Sequence, residues 1–208
     1  MTDGAIESIS DLPESWSAVR LGDIAKSKGG FGFPVAAQGR KDGEYPFFKV
    51  SDMNLPGNEK FMRASNNWID PQTLKRLKAK AFPRSAIVFP KIGAALLTNK
   101  KRILVRDSVI DNNVMAVVVN DESECLPEYL YQWFLTLDLG RIANPGTVPS
   151  LTSGRLEEVR LPLPPLTEQR KIAAVLGVVQ RAIEHQERLL QLTAELKKTL
   201  LHQLFTQG

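Results

Sequence analysis

Residues 166–205 contain no proline, and their apolar positions return at alternating steps of three and four. Ile172, Val175, Val179, Ala182, Gln186, Leu189, Thr193, Leu196, Leu200 and Gln203 trace a heptad seam, which Leu176, Ile183, Leu190 and Leu204 widen. This pattern predicts one long helix. The helix starts near Thr167, because Leu161-Pro162-Leu163-Pro164-Pro165 cannot be helical. Thr167 is the candidate cap and Glu168 suits the positive helix end, although Arg170 stands where a capping box needs Glu or Gln. A helix over residues 167–205 reaches about 58 Å at ~1.5 Å per residue. A stripe that long outruns any single head this chain can build, so a partner helix is implied, from another chain or from a further part of this one. The alternative is a helix folded back on its own head. Gln186 and Gln203 are placed to set register. Gly177 either permits close approach or is simply tolerated at a cost of ~1 kcal/mol.

Residues 13–165 mix short apolar runs with Gly and Pro, and residues 1–12 read as a frayed polar lead-in. Residues 45–50, 86–89, 103–105 and 114–119 predict strands. Residues 71–80 predict a helix with Asp70 as N-cap and Pro71 in its first turn, and residues 127–139 predict another. Strands interleaved with a few helices make the class α+β: a strand-rich globular domain over residues 1–165, then the long helix over 166–208.

Charge is laid out unevenly. Residues 71–106 hold no acid, but contain Lys75, Arg76, Lys78, Lys80, Arg84, Lys91, Lys100, Lys101, Arg102 and Arg106. Residues 107–140 hold seven acids and no Lys or Arg. Such a block suits a phosphate backbone, and it equally suits a solvated face balanced in space by the acidic stretch. The 43% hydrophobic content excludes a disordered chain, and no apolar run approaches the ~18 residues that span a bilayer. Cys125 is the one cysteine, so no internal disulfide forms. With no basic-then-apolar leader after Met1, a reducing cytoplasm is the simplest location.

Catalytic signals in the sequence are mostly negative. No phosphate-binding Gly-x-x-x-x-Gly-Lys loop occurs. Gly29-Gly30-Phe31-Gly32 reads as a turn or a mobile loop. His185 and His202 lie in the long helix with no ligand cluster, Cys125 has no positioned base, and Asp107 with Asp111 is a pair any chain of this length offers.

The remaining segments carry a likeness. Leu12-Pro13-Glu14-Ser15-Trp16, Val19-Arg20-Leu21-Gly22-Asp23-Ile24, Tyr45-Pro46-Phe47-Phe48-Lys49-Val50-Ser51-Asp52-Met53, Ala86-Ile87-Val88-Phe89-Pro90-Lys91-Ile92-Gly93, Asp111-Asn112-Asn113-Val114, Gly146-Thr147-Val148-Pro149-Ser150-Leu151 and Leu161-Pro162-Leu163-Pro164-Pro165-Leu166-Thr167-Glu168-Gln169 occur in that order. Together they resemble the specificity subunits of type I restriction-modification systems. Members commonly carry two recognition domains and two helices, so this chain resembles a half-length subunit or a fragment.

The resemblance implies a non-catalytic DNA-recognition subunit. Its helix would pair, antiparallel, with a second copy and dock methyltransferase subunits. S-adenosylmethionine and ATP would sit on the methyltransferase and a nuclease-translocase partner, with no cofactor or metal on this chain and no membrane contact. Lys91, Lys100, Lys101 and Arg102 are the phosphate candidates. Lys49, Ser51, Thr98, Asn99, Thr147 and Ser150 are the base-edge candidates. Ile172, Val175, Val179, Ala182, Gln186, Leu189, Leu196 and Leu200 are the pairing residues. The rival from another class is a coiled-coil assembly protein whose head binds another protein.

Overall fold

The computed structural model describes residues 12–206, so the lead-in at residues 1–11 lies outside the described residues. The α+β class holds. Ten strands among them make three sheets: a five-stranded sheet ordered β2-β9-β6-β7-β4, a three-stranded sheet β5-β3-β8, and a ribbon β1-β10. The ranges are β1 Ser17–Arg20, β2 Ala25–Gly29, β3 Tyr45–Phe48, β4 Phe61–Met62, β5 Trp68–Ile69, β6 Ile87–Pro90, β7 Arg102–Leu104, β8 Val109–Ile110, β9 Val114–Val119 and β10 Arg160–Leu163.

The centre is β9, paired antiparallel with β2 on one side and β6 on the other. Its continuous apolar run follows from burial of both faces. Met115 and Val117 point into one core with Ile87, Phe89, Leu130 and Phe134. Val114 and Ala116 point into a second core with Phe48, Met62, Val88, Leu104 and Ile110. β3 alternates likewise: Phe48 enters that second core, while Phe47 enters a third with Ile69 and Val109 and stacks on Phe33 at 3.6 Å between ring centroids.

The predicted strands form with small shifts. Residues 45–50 stop being a strand at Phe48, because Val50–Asn54 winds into a 3-10 turn around buried Asp52. Asp52 accepts from the Lys49 amide and from Asn66. Helix α2 (Pro71–Arg76) has Asp70 as its cap, accepting from the Thr73 amide at 2.7 Å. It ends before residue 80, since Lys78 turns left-handed at φ 51°. Helix α4 (Pro127–Thr136) stops short of residue 139, because Asp138 caps a new short helix, α5 (Leu139–Ile142). Gly29-Gly30 is not a mobile loop. Gly30 donates to Val114 O, and a Cβ there would lie 2.2 Å from the Ile110 and Asp111 carbonyl oxygens. Glycine at residue 30 lets the five- and three-stranded sheets meet.

The Pro-rich segment becomes β10, an edge strand, which tolerates Pro162 opposite Ala18. Ribbon β1-β10 brings the chain back beside its start and launches α6, which is one unbroken helix over Leu166–Thr206 (the short helices at Leu21–Ile24, Gly93–Leu97 and Ser153–Glu157 being α1, α3 and the connector before β10). Thr167 is therefore inside the helix and does not cap it. Its neighbour Glu168 instead accepts from Trp16 Nε1 at 2.8 Å. Gln169 is fully buried. Its Nε2 donates to Glu124 O and Pro164 O at 2.9 and 2.8 Å, and its Oε1 accepts from the Leu126 amide at 2.8 Å.

Only the first part of the long helix touches the head. Gln169, Ala173, Gly177, Gln180 and Glu184 turn toward it, and every residue from 185 to 206 is exposed. At ~100° per residue, the seam from Val175 to Leu200 lies roughly on the opposite side. Ile172 is a correction: it packs half-buried on the head's own core and leaves the pairing set. Gly177 is another. It is buried where the helix passes the head, and the nearest group to where a side chain would begin is the Arg181 guanidinium, at 3.5 Å.

Replacing Gln169 with Leu is expected to destabilise the head by roughly 2–4 kcal/mol, because it strands three buried backbone partners. Chemical denaturation of both proteins measures the difference.

Candidate nucleic-acid interface

Strand register places one set of loops together. Gly29 of β2 pairs with Met115, Pro90 of β6 with Val114, Arg102 of β7 with Val88, and Phe61 of β4 with Ile103. Residues Gly30, Asn113, Lys91, Lys100 and Lys60 therefore all lie past the same end of the five-stranded sheet. The three-stranded sheet joins there too, because the Asp111 amide donates to Phe48 O at 2.9 Å, just before Lys49. The 3-10 turn crosses this end, from Lys49 beside Asp111 to Asn54, which accepts from Lys100 Nζ.

Loop 144–150 reaches the same place. The Asn144 amide donates to Ser150 O at 2.7 Å, the Gly93 amide to Pro149 O at 2.8 Å, and the Leu151 amide to Lys91 O at 2.8 Å. Lys49, Ser51, Lys91, Lys100, Thr147 and Ser150, widely spaced in sequence, thus share one rim. Ser51 and Thr147 are exposed. Lys49 Nζ donates to Gln38 Oε1 at 3.0 Å, and Lys91 lies across the end of β2, over Gly29.

Other expected residues serve the fold. Lys101 is only 3% exposed, and its Nζ donates to Leu137 O at 2.6 Å. Burial pulls its ammonium down to about 8, against some help from Asp138. It ties β7 to the end of α4 and has no charge at the surface for a phosphate. Asn99 is left-handed at φ 54°, donates to Asp138 Oδ1 at 3.0 Å and accepts from the Leu139 amide at 2.8 Å. Its amide is spent capping α5, not free for a base. Thr98 ends α3 with its hydroxyl on Ala95 O at 2.6 Å. Arg102 is half-buried and donates to Lys101 O and Met53 O, and desolvation lowers its guanidinium below the usual value. The phosphate candidates left at the surface are Lys91 and Lys100.

The catalytic candidates set aside in the sequence have structural roles as well. Asp111 accepts from the Asn113 amide at 2.6 Å and Asp107 from the Arg84 amide at 3.1 Å. Burial pushes the Cys125 thiol up to about 12, which leaves it unreactive. No group of three metal-ligating side chains occurs among the described residues. Sequence reasoning passed over Asn54 and Gln38, whose place on the rim depends on 3-10 turns too short to leave a periodic signal.

A sequence model of the family described as type I restriction modification DNA specificity domain matches residues 13–194. The type I restriction enzyme MjaIX specificity subunit of Methanocaldococcus jannaschii is 24% identical over 188 residues, covering 86% of this chain and 41% of that protein. The MjaVIII specificity subunit of the same organism is 22% identical over 198 residues, covering 95% and 43%. This chain thus spans less than half the length of these relatives. Among solved structures, a chain from a study of complex assembly and conformational transition in the type I R-M system gives a TM-score of 0.72 at 22% identity, covering 93% of this chain and 45% of that one. The HsdS subunit from Thermoanaerobacter tengcongensis gives 0.66 at 20% identity, covering 88% and 42%. Those structures share the fold.

The Lys101 environment gives a pH signature. Its folded value near 8 lies below the ordinary 10.5, so between these values the unfolded chain holds more protons and stability rises with pH. The unfolding free energy of wild type relative to Lys101→Met is therefore expected to shift in favour of wild type, by on the order of 1 kcal/mol, between about pH 8 and 10. Paired denaturation curves across that range test it.

Proposed function

The chain belongs to the type I restriction-modification DNA specificity family, and on that premise we propose that its head reads one half of a bipartite duplex target and performs no chemistry itself. The observation that carries this is the gathering of Lys49, Ser51, Lys91, Lys100, Thr147 and Ser150 on one rim, from four separate parts of the sequence. Ammonium groups would take phosphates and fix register, while exposed hydroxyls on rigid loops would meet base edges. Residues 1–165 are the recognition unit in this reading and residues 166–208 the assembly unit.

The helix supplies the second half of the proposal. Its exposed seam, Val175, Val179, Ala182, Gln186, Leu189, Leu196 and Leu200, faces away from the head along about 38 Å of helix. Pairing antiparallel with a second copy would cover it and set two heads a fixed distance apart. The target of such a dimer is an inverted repeat, because the site mirrors protein symmetry. The same helices would dock methyltransferase subunits carrying S-adenosylmethionine, with an ATP-using nuclease-translocase joining them, in the cytoplasm. This chain itself would hold no cofactor. A coiled-coil assembly protein with a protein-binding head would keep the helix but gives no reason for the rim.

Duplex binding is expected to weaken steeply with salt, with a log–log slope of roughly −5 to −9 for about six to ten neutralised phosphates. Lys100→Ala is expected to weaken all sequences alike and flatten that slope by about one. Salt-independent binding, or none with methyltransferase subunits present, would favour the rival. Changing Leu189, Leu196 and Leu200 together to Glu is expected to give a monomer whose head unfolds as wild type does. An unchanged mass by light scattering contradicts the seam.

A further inference from the structure

Loop 144–150 is a braced finger. Ser150 bridges both Asn144 and Ile92 in antiparallel fashion, which adds two short rungs beyond the end of β6. The backbone bonds from Asn144, Gly93 and Leu151 hold its base. Gly93 is left-handed at φ 68°, and Val148 Cγ1 lies 4.0 Å from where a side chain at that position would begin. Pro145, Gly146, Thr147 and Val148 form the exposed tip.

Val148 is out of character with its surroundings. It is 58% exposed, beside Ile92 at 39%, on a rim that also presents Lys49, Ser51, Lys91 and Thr147. An apolar side chain held forward on a braced loop loses water, and little conformational freedom, when it meets an apolar partner. In the major groove of duplex DNA the apolar group that base edges present is the C5 methyl of thymine.

We propose that Val148, with the methyl of Thr147 beside it, reads a thymine methyl in each half-site. This rests on the reading that the rim faces DNA. It adds a specificity contact independent of charge: Lys91, beside the finger's base, positions the backbone, and Val148 selects the base pair.

The test uses the full chain with its methyltransferase subunits. Preferred sites are selected from a random duplex pool, and each thymine in the best site is replaced in turn by deoxyuridine, which lacks only the methyl. Wild type is expected to lose about fourfold in affinity at one position per half-site, the worth of one buried methyl group. Val148→Ala is expected to bind the thymine site more weakly and to be indifferent to deoxyuridine there. Val148→Thr, which keeps the shape, should retain part of the discrimination. Equal deoxyuridine penalties for wild type and Val148→Ala, or no methyl-dependent position, overturn the proposal while leaving the DNA-reading function intact. So does a Val148→Ala complex that discriminates normally but loses its methyltransferase subunits, which makes the finger a protein contact. Failure to enrich any duplex sequence removes both the function and this contact.

Discussion

The head depends on burying both faces of one strand. β9 and its neighbour β6 place alternate side chains in two separate cores, so the five-stranded sheet has helices and ribbon on one side and the second sheet on the other. With both faces covered, the sheet meets solvent only at its ends and edges. Loops that leave the same end are therefore forced together, whatever their distance in sequence. The rim of Lys49, Ser51, Lys91, Lys100, Thr147 and Ser150 is a consequence of that packing and not of any local motif.

A second constraint divides the long helix by face. Its early turns spend Gln169, Ala173 and Gly177 on the head, and Gln169 joins the helix start to two backbone segments through three hydrogen bonds. The same line of the helix then continues as Glu187, Gln191, Lys198 and His202, which suit water. The head-facing line is thus mostly polar from Glu187 to His202, beyond the head. The apolar seam on the other side runs on to Leu200 with none of the described residues of the head against it. The anchoring face and the exposed apolar face are separate, so the rod projects without wrapping back.

The basic block shows how far composition carries. It drew attention to residues 91–102, yet within three consecutive positions the placement differs. Lys100 remains at the rim, Lys101 is buried under the end of α4, and Arg102 is folded onto the backbone of the 3-10 turn. A strand alternates its side chains between faces, and which face receives solvent is set by the elements packed there. Asn99 is a similar case. Nothing around it in sequence announces a helix starting forty residues later at Leu139, yet that helix takes its amide. Val148 was visible only as one residue of a loop, and its exposure follows from rungs with Ile92 and Ser150.

The sequence by itself determined the long helix, its seam, the α+β class, the β9 strand and the family, because each is written in local periodicity or in ordered short segments. The tertiary structure alone decided which cations stay at the surface, that Ile172 and Gly177 belong to the head, and that the finger stands beside Lys91. These are outcomes of contacts between residues far apart in sequence. Periodicity states which face of an element is apolar, but not what will come to cover it.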